Sequence, residues 1–351
     1  MLNSGRTKVL IVDDSAVIRQ TFAGILSEDP EIEVVGTAPD PYVARDMIIE
    51  KHPDVLSLDI EMPRMDGITF LNRLMHYHPM PVVVVSSLTS KGGQLAMDAL
   101  HAGALAVISK PRAAFSAAGT MDELAITLKA VARVNVKERA LDRKRKVVAS
   151  TQALSKTTNH ILAIGASTGG TTAIEALLNA MPVNLPGTII SQHMPEVFTL
   201  SFAERLAKET HLDVREAKNG ESVVPGRVLI APGNKHLLLK RSGASYLVAL
   251  SDGPKVNRHR PSVDVMFQSV AKTAGSNAIG VILTGMGRDG AEGLLAMHKN
   301  GAATIAQDEA SSVVFGMPKA AIDLDAVDTV SGLADIPGHL LRLFKQKGDV
   351  K

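Results

Sequence analysis

The run Gly165-Ala166-Ser167-Thr168-Gly169-Gly170 follows four apolar residues, Ile161-Leu162-Ala163-Ile164, and precedes a helix-like segment, Thr171–Met181. Strand, sharp turn and helix lift a serine hydroxyl to the end of a sheet, and Gly165-x-Ser167-x-Gly169 fits the nucleophile-elbow spacing. The small neighbours let the backbone turn tightly and leave room for a carbonyl over the hydroxyl. A glycine turn after a strand also cradles phosphate, so the motif alone leaves acyl transfer and phosphate binding both open. A serine hydroxyl needs a base to become a nucleophile. His193 follows the next strand, Gly187–Gln192, and precedes Met194-Pro195, which puts it on the same rim as Ser167. His259, in the loop Arg258-His259-Arg260-Pro261, is the reserve. His211, His298 and His339 lie within or beside helices, and His236 opens a strand at the opposite edge. The base in turn needs a carboxylate to fix its tautomer. Asp289 ends the turn Thr284-Gly285-Met286-Gly287-Arg288 after the apolar strand Ala278–Leu283. Capping the following helix is its competing use. Asp264 and Asp308 are rivals, and Asp264 is expected to cap the helix that it begins. The order Ser, His, Asp differs from that of α/β-hydrolases, in which the histidine comes last.

A second set of groups lies in the first half. Asp13 and Asp14 follow the first strand, Asp59 ends the third, Ser86 the fourth and Lys110 the fifth. Parallel neighbours bring such ends together. Carboxylates that close repel one another and call for a cation. Oxygen-only ligands with water favour Mg²⁺. With the lysine and the hydroxyl, the cluster can stabilise a phosphoryl group moving to Asp59.

The elements that must position these residues alternate. Strands are expected at Lys8–Val12, Glu31–Ala38, Val55–Leu58, Pro81–Ser86 and Ala106–Ser109. Helices fall between them, and a last one runs from Met121 to about Val136. Five β-α units give a parallel sheet with helices on both faces. From Asn159 a second α/β region begins, with an antiparallel-looking insertion around 227–250. Between the two, residues 137–146 carry six Lys and Arg against Glu138 and Asp142, and 147–158 are small and polar. This reads as a helix tail and linker. A DNA-binding stripe is the alternative, but neither aromatics nor a helix-turn-helix pattern accompanies it.

A length of 351 residues suggests two domains. Hydrophobic residues make up 45% of the chain and aromatics only 3%, so two cores can form and must be aliphatic. The lack of cysteine excludes disulfides, thiolate catalysis and Cys-ligated zinc. No secretory signal or spanning stretch is visible, so a cytoplasmic protein without membrane insertion is expected. A net charge of +2 does not argue for nucleic acid.

Ile11-Val12-Asp13-Asp14-Ser15, Asp59-Ile60-Glu61-Met62-Pro63 and Ser109-Lys110-Pro111 resemble the receiver domain of two-component response regulators. The resemblance implies phosphorylation of Asp59 by a histidine kinase. It also implies Mg²⁺ held by Asp14, Asp59 and the backbone carbonyl of Glu61, with Asp13 contributing through water. Ser86 and Lys110 would contact the acyl phosphate. Val107 stands where receivers often carry an aromatic, a departure from an aromatic-swing switch.

The serine motif, Gln192-His193-Met194-Pro195, Arg260-Pro261-Ser262-Val263-Asp264 and Thr284–Gly290 are similar to the catalytic domain of bacterial chemotaxis protein-glutamate methylesterases. Gln307-Asp308 and Phe315-Gly316-Met317-Pro318 fit it too. That resemblance implies Ser167 as nucleophile, His193 as base, Asp289 as orienting acid and the amides of Thr168 and Met286 as oxyanion hole, with no cofactor for the esterase reaction. Implied substrates are glutamate γ-methyl esters, and also glutamines, on the cytoplasmic helices of chemoreceptors. The unphosphorylated receiver is implied to cover the active-site mouth. The expected architecture is α/β with two doubly wound domains: a flavodoxin-like receiver over 6–136, a linker over 137–158, and a serine-hydrolase domain with a mostly parallel sheet over 159–347. A DNA-binding regulator, or an adaptor without hydrolase activity, are the other classes.

Overall fold

The computed structural model describes residues 5–110, 117–136 and 160–349. The expected linker, 137–158, and Pro111 lie outside them. The chain divides into two units, Met1–Lys146 and Val147–Lys351.

In the first unit, five parallel strands are ordered β2-β1-β3-β4-β5: β1 (Thr7–Val12), β2 (Ile32–Ala38), β3 (Val55–Asp59), β4 (Val82–Ser86) and β5 (Ala106–Ser109). The valine run of β4 is buried throughout, as a central parallel strand requires. Four of the helices start at a capping side chain. Ser15 caps α1 (Ala16–Ser27), Asp40 α2 (Pro41–Lys51), Asp66 α3 (Gly67–Tyr77) and Thr89 α4 (Ser90–Ala102). The helix expected over 121–136 is found as α5 (Ala117–Val131). It stops where Val134 N–H turns back onto the Val131 carbonyl.

In the second unit, β6 (Ile161–Ala166), β7 (Gly187–Gln192), β8 (Asp213–Glu216), β10 (Arg227–Ile230), β13 (Ala278–Ile282), β14 (Ala303–Gln307) and β15 (Thr329–Ser331) form one sheet. Its order is β15-β14-β13-β6-β7-β10-β8, and every pairing is parallel. The antiparallel insertion exists as a separate sheet of β11 (His236–Ser242), β12 (Ser245–Ser251) and β9 (Ser222–Val223). Arg227–Ile230, expected within it, pairs instead with β7 and β8. Helices α6 (Gly170–Asn179), α7 (Glu196–Glu209), α8 (Val263–Ala274), α9 (Ala291–Lys299), α10 (Met317–Asp323) and α11 (Ile336–Asp349) connect the strands or follow them. The core gathers Ile161, Ile189, Leu229, Val263, Ile282 and Leu294, aliphatic apart from the rings of Phe267 and Tyr246. β6 has β7 on one side and β13 on the other, a point where the strand order reverses and a crevice opens. Among the described residues, no helix is long and apolar enough to cross a membrane.

Candidate active site

Three adjacent strands deliver the three candidate residues. Ala166 pairs with Gln192, so Ser167 and His193 are the next residues on neighbouring strands. β13 pairs Ile282 with Gly165, so the turn to Asp289 leaves the other side of β6. The ends are tied together: Ser167 N–H donates to the Thr284 carbonyl at 3.0 Å, and His193 N–H to the Ala166 carbonyl at 3.1 Å. The Ser167 carbonyl accepts from Gly170 N–H at 2.7 Å and from Gln192 Nε2 at 2.9 Å. Gly169 takes a left-handed φ of 77° against the Val313 side chain, which leaves no place for a Cβ. Ser167 is half-buried, and its Oγ makes no hydrogen bond to a described residue.

His193 Nε2 lies 2.7 Å from Asp289 Oδ2. Nε2 therefore carries the proton given to the carboxylate. Nδ1, which is buried and has no hydrogen-bonded partner, keeps its lone pair. This reverses the trypsin-like arrangement, in which Nδ1 faces the aspartate. Asp289 is buried and does not cap α9, whose N-cap is Gly290 at φ 93°. Its oxygens accept instead from Asn257 Nδ2 (2.8 Å), Ser262 Oγ (2.7 Å) and the amides of Val263 (2.7 Å) and Asp264 (3.3 Å). Burial alone would push the Asp289 carboxyl up. The bonds from His193, Asn257 and Ser262 outweigh it and hold the group well below the ordinary carboxylate range.

Ser262, not Asp264, caps α8. Asp264 is buried and accepts from Gly293 N–H (2.6 Å) and Asn257 Nδ2 (2.7 Å). Burial, with the Asp289 charge beside it, pushes it up to about 6 despite the Gly293 bond. Asp308 is engaged by Ser311. His236 is buried between the Pro254 carbonyl (2.9 Å) and Ser262 N–H (3.2 Å), where it braces a loop. His211 is exposed, His298 lies 3.3 Å from Asp328, and His339 accepts from Arg342. The reserve histidine, His259, does reach the site. Its ring stacks on that of His193, with centroids 3.7 Å apart and planes 12° apart. Asn257 and Ser262 are additions that sequence reasoning missed. Only Ser262 carried a signal, as a serine just before a helical pattern.

Two backbone N–H groups, those of Thr168 and Met286, make no hydrogen bond to a described residue. The turns that present them are pinned by Thr284 Oγ1. It donates to the Thr168 carbonyl (2.9 Å) and accepts from Val313 and Val314 N–H (3.0 Å each). The Gly285 carbonyl accepts from Gly316 (3.0 Å) and Met317 (2.8 Å). A Cβ at Gly285 would lie 2.8 Å from Ser167 Cβ and press on Met317 Sδ.

In the first unit, one carboxylate oxygen from each of Asp13, Asp14 and Asp59 lies within 4.8 Å of the others. Lys110 Nζ sits 2.8 Å from both Asp13 Oδ2 and Asp59 Oδ2. The contact with Asp59 lies outside hydrogen-bond geometry, so that buried oxygen still lacks a hydrogen-bonded partner. Burial pushes Asp59 up to about 6, with the Asp13 charge adding to it and Lys110 working against it. Oxygen-only donors, two of them buried (Asp13 and Asp59) and one exposed (Asp14), fit a hard cation such as Mg²⁺. Ser86 Oγ is buried and reaches the Gly92 carbonyl at 3.4 Å. The Glu61 side chain turns aside to accept from Ser87 Oγ at 2.5 Å.

Comparison with known proteins separates the same two regions. Residues 9–116 match the response regulator receiver domain, and residues 162–340 the CheB methylesterase. A protein-glutamate methylesterase/protein-glutamine glutaminase of Anaeromyxobacter dehalogenans is 58% identical over 343 residues, covering 98% of this chain and 96% of the relative. One of Methylobacillus flagellatus is 53% identical over 342 residues, with 95% and 96% covered. The crystal structure of the Thermotoga maritima CheB methylesterase catalytic domain is 41% identical, with a TM-score of 0.52, and covers 53% of this chain and 99% of its own. With a receiver ahead of a parallel-sheet esterase unit, and close relatives along its whole length, this chain belongs to the CheB methylesterase family.

Proposed function

We propose that this chain hydrolyses glutamate γ-methyl esters on chemoreceptors and deamidates receptor glutamines to glutamate, under the control of phosphorylation at its receiver. Family membership carries the activity. The observation that supports the residue roles is the His193–Asp289 bond, which leaves Nδ1 free on the strand next to Ser167.

Ser167 is the nucleophile and His193 Nδ1 the base. As Oγ bonds to the ester carbonyl carbon, its proton passes to Nδ1, and Asp289 stabilises the imidazolium through Nε2–H. The Thr168 and Met286 amides receive the oxyanion, each such donor contributing about 3–4 kcal/mol. The C–O bond to the methoxy group then breaks, and Nδ1 returns the proton so that methanol leaves. Water, deprotonated by His193, attacks the glutamyl ester on Ser167 and frees the carboxylate and the serine. A glutamine follows the same route with ammonia as leaving group. Amide nitrogen departs poorly unprotonated, so that reaction depends more heavily on His193 as acid.

In the receiver, an Asp59 oxygen bonds to phosphorus as the P–N bond of a kinase phosphohistidine breaks. Asp14, Asp59 and the Glu61 carbonyl would hold Mg²⁺, with Asp13 acting through water, and the bound ion neutralises charge on the phosphoryl oxygens. Ser86 and Lys110 hold the same oxygens. The setting is the cytoplasm, on the methylated helices of the receptors.

Ser167→Ala removes methanol release from methylated receptors, and a fluorophosphonate labels the wild-type chain at Ser167 by mass spectrometry. Retained release in the variant would refute the triad. A chain that folds yet never labels would point to the adaptor reading.

A further inference from the structure

We propose that His259 is a positioning residue for His193: its ring is the flat stop against which the base's imidazole lies. The inference rests on the triad assigned above. A hydrogen bond from Nε2–H to Asp289 fixes one direction of the His193 ring but leaves it free to swing about that bond. A second, planar constraint is needed to keep Nδ1 aimed at the serine rim. The His259 ring supplies it, 3.7 Å away and within 12° of parallel.

The loop that carries His259 is built to hold that ring still. Val256 and His259 exchange backbone hydrogen bonds of 3.1 and 2.9 Å. Between them, Asn257 Nδ2 reaches both Asp264 and Asp289, so the loop is anchored on the acid whose partner it stacks against. Arg260 clasps the carbonyls of Asp252 and Gly253, each at 2.8 Å, and Asn234 Oδ1. The His259 ring itself makes no hydrogen bond to a described residue, so its contact with the site is the stack. His193 and Asp289 face it from their own elements, and Lys255 and Arg258 flank it on its loop. Burial first, then the His193 charge, push it down to about 3, so it faces the base as a neutral ring. A neutral aromatic face also tolerates the imidazolium that forms when His193 takes the serine proton.

The test uses the full chain with two substitutions. His259→Leu fills comparable space without a flat face, whereas His259→Phe restores one without a titratable nitrogen. kcat and KM on methylated receptor, the rate of Ser167 labelling by a fluorophosphonate, and Tm are measured for each. The leucine variant is expected to lose about tenfold or more in kcat and in labelling rate, with KM nearly unchanged, since small misplacement of a reacting group is costly. The phenylalanine variant is expected to recover most of that loss. Wild-type kcat and labelling in the leucine variant would overturn the proposal. So would a phenylalanine variant that keeps its Tm yet falls well below wild type, and that arm stands even if the leucine variant does not fold. Labelling that fails at Ser167 in the wild type would overturn the triad itself, a distinguishable result.

Discussion

Asp289 holds its charge through five donors: His193, Asn257, Ser262 and the amides of Val263 and Asp264. Those bonds depress its carboxyl, so it stays ionised well below the pH at which an ordinary carboxylate protonates, about 4. A depressed group keeps its stabilising contribution above the unfolded value and loses it only as pH falls through the lower folded one. His259, pushed down to about 3, likewise stays neutral in the working range. Neither group should therefore add a proton to the acid limb of kcat/KM between about pH 7 and pH 5, whereas Asp264, pushed up to about 6 and tied to Asp289 through Asn257, should. Asp264→Asn should remove that contribution from a pH–rate profile, and an unchanged acid limb in the variant would show that Asp264 does not act on the site. At this scale the sequence was informative about placement where a candidate residue follows a strand end, as at Ser167, His193 and Asp289, which three adjacent strands bring together. It was silent on Asn257, whose partner Asp289 lies 32 positions away and whose left-handed φ of 50° belongs to no periodic element. Asp264 misleads for a clear reason. An aspartate at a helix start ordinarily caps it, but Ser262 occupies that role and frees Asp264 to reach Gly293.

Turns, rather than helices or strands, set the distances within the site. The turn after β13 approaches the serine so closely that residue 285 has no room for a methyl group. Gly285→Ala should press on Ser167 Cβ and Met317 Sδ and cost about 1–3 kcal/mol of stability by overpacking. It should also lower kcat more than KM changes. Thermal unfolding together with steady-state kinetics on methylated receptor checks both effects, and an unaltered variant would show that the turn is slack. Long buried strands and capped helices were legible because each carries a period and a boundary residue, as in β4 and α2. The short strands β8, β9 and β15 and the seven-residue α10 were not, because two to seven residues hold too little of any period. Arg227–Ile230 went to the wrong sheet because its pattern states how buried it is, not which neighbour pairs with it.

For the whole chain, receiver and esterase should respond as one system. Acetyl phosphate with Mg²⁺ is expected to raise methanol release from methylated receptor, and a tenfold rise corresponds to a bias of about 1.4 kcal/mol. Chelation by EDTA, or Asp59→Asn, should abolish the rise. An unchanged response in either would detach the acidic cluster from control. The strand order has a further consequence for how the activity first appears. On the ribosome, Ser167 and His193 emerge well before β13, the strand that must dock beside β6 and bring the Met286 amide and Asp289 with it. A truncated or still-growing polypeptide that stops short of Ala278 thus holds the proposed nucleophile and base without the proposed orienting acid or one of the two amides. Translation products that stop before Ala278 are expected to be inert, and esterase turnover would report that β13 and the turn to Asp289 have been made and docked beside β6.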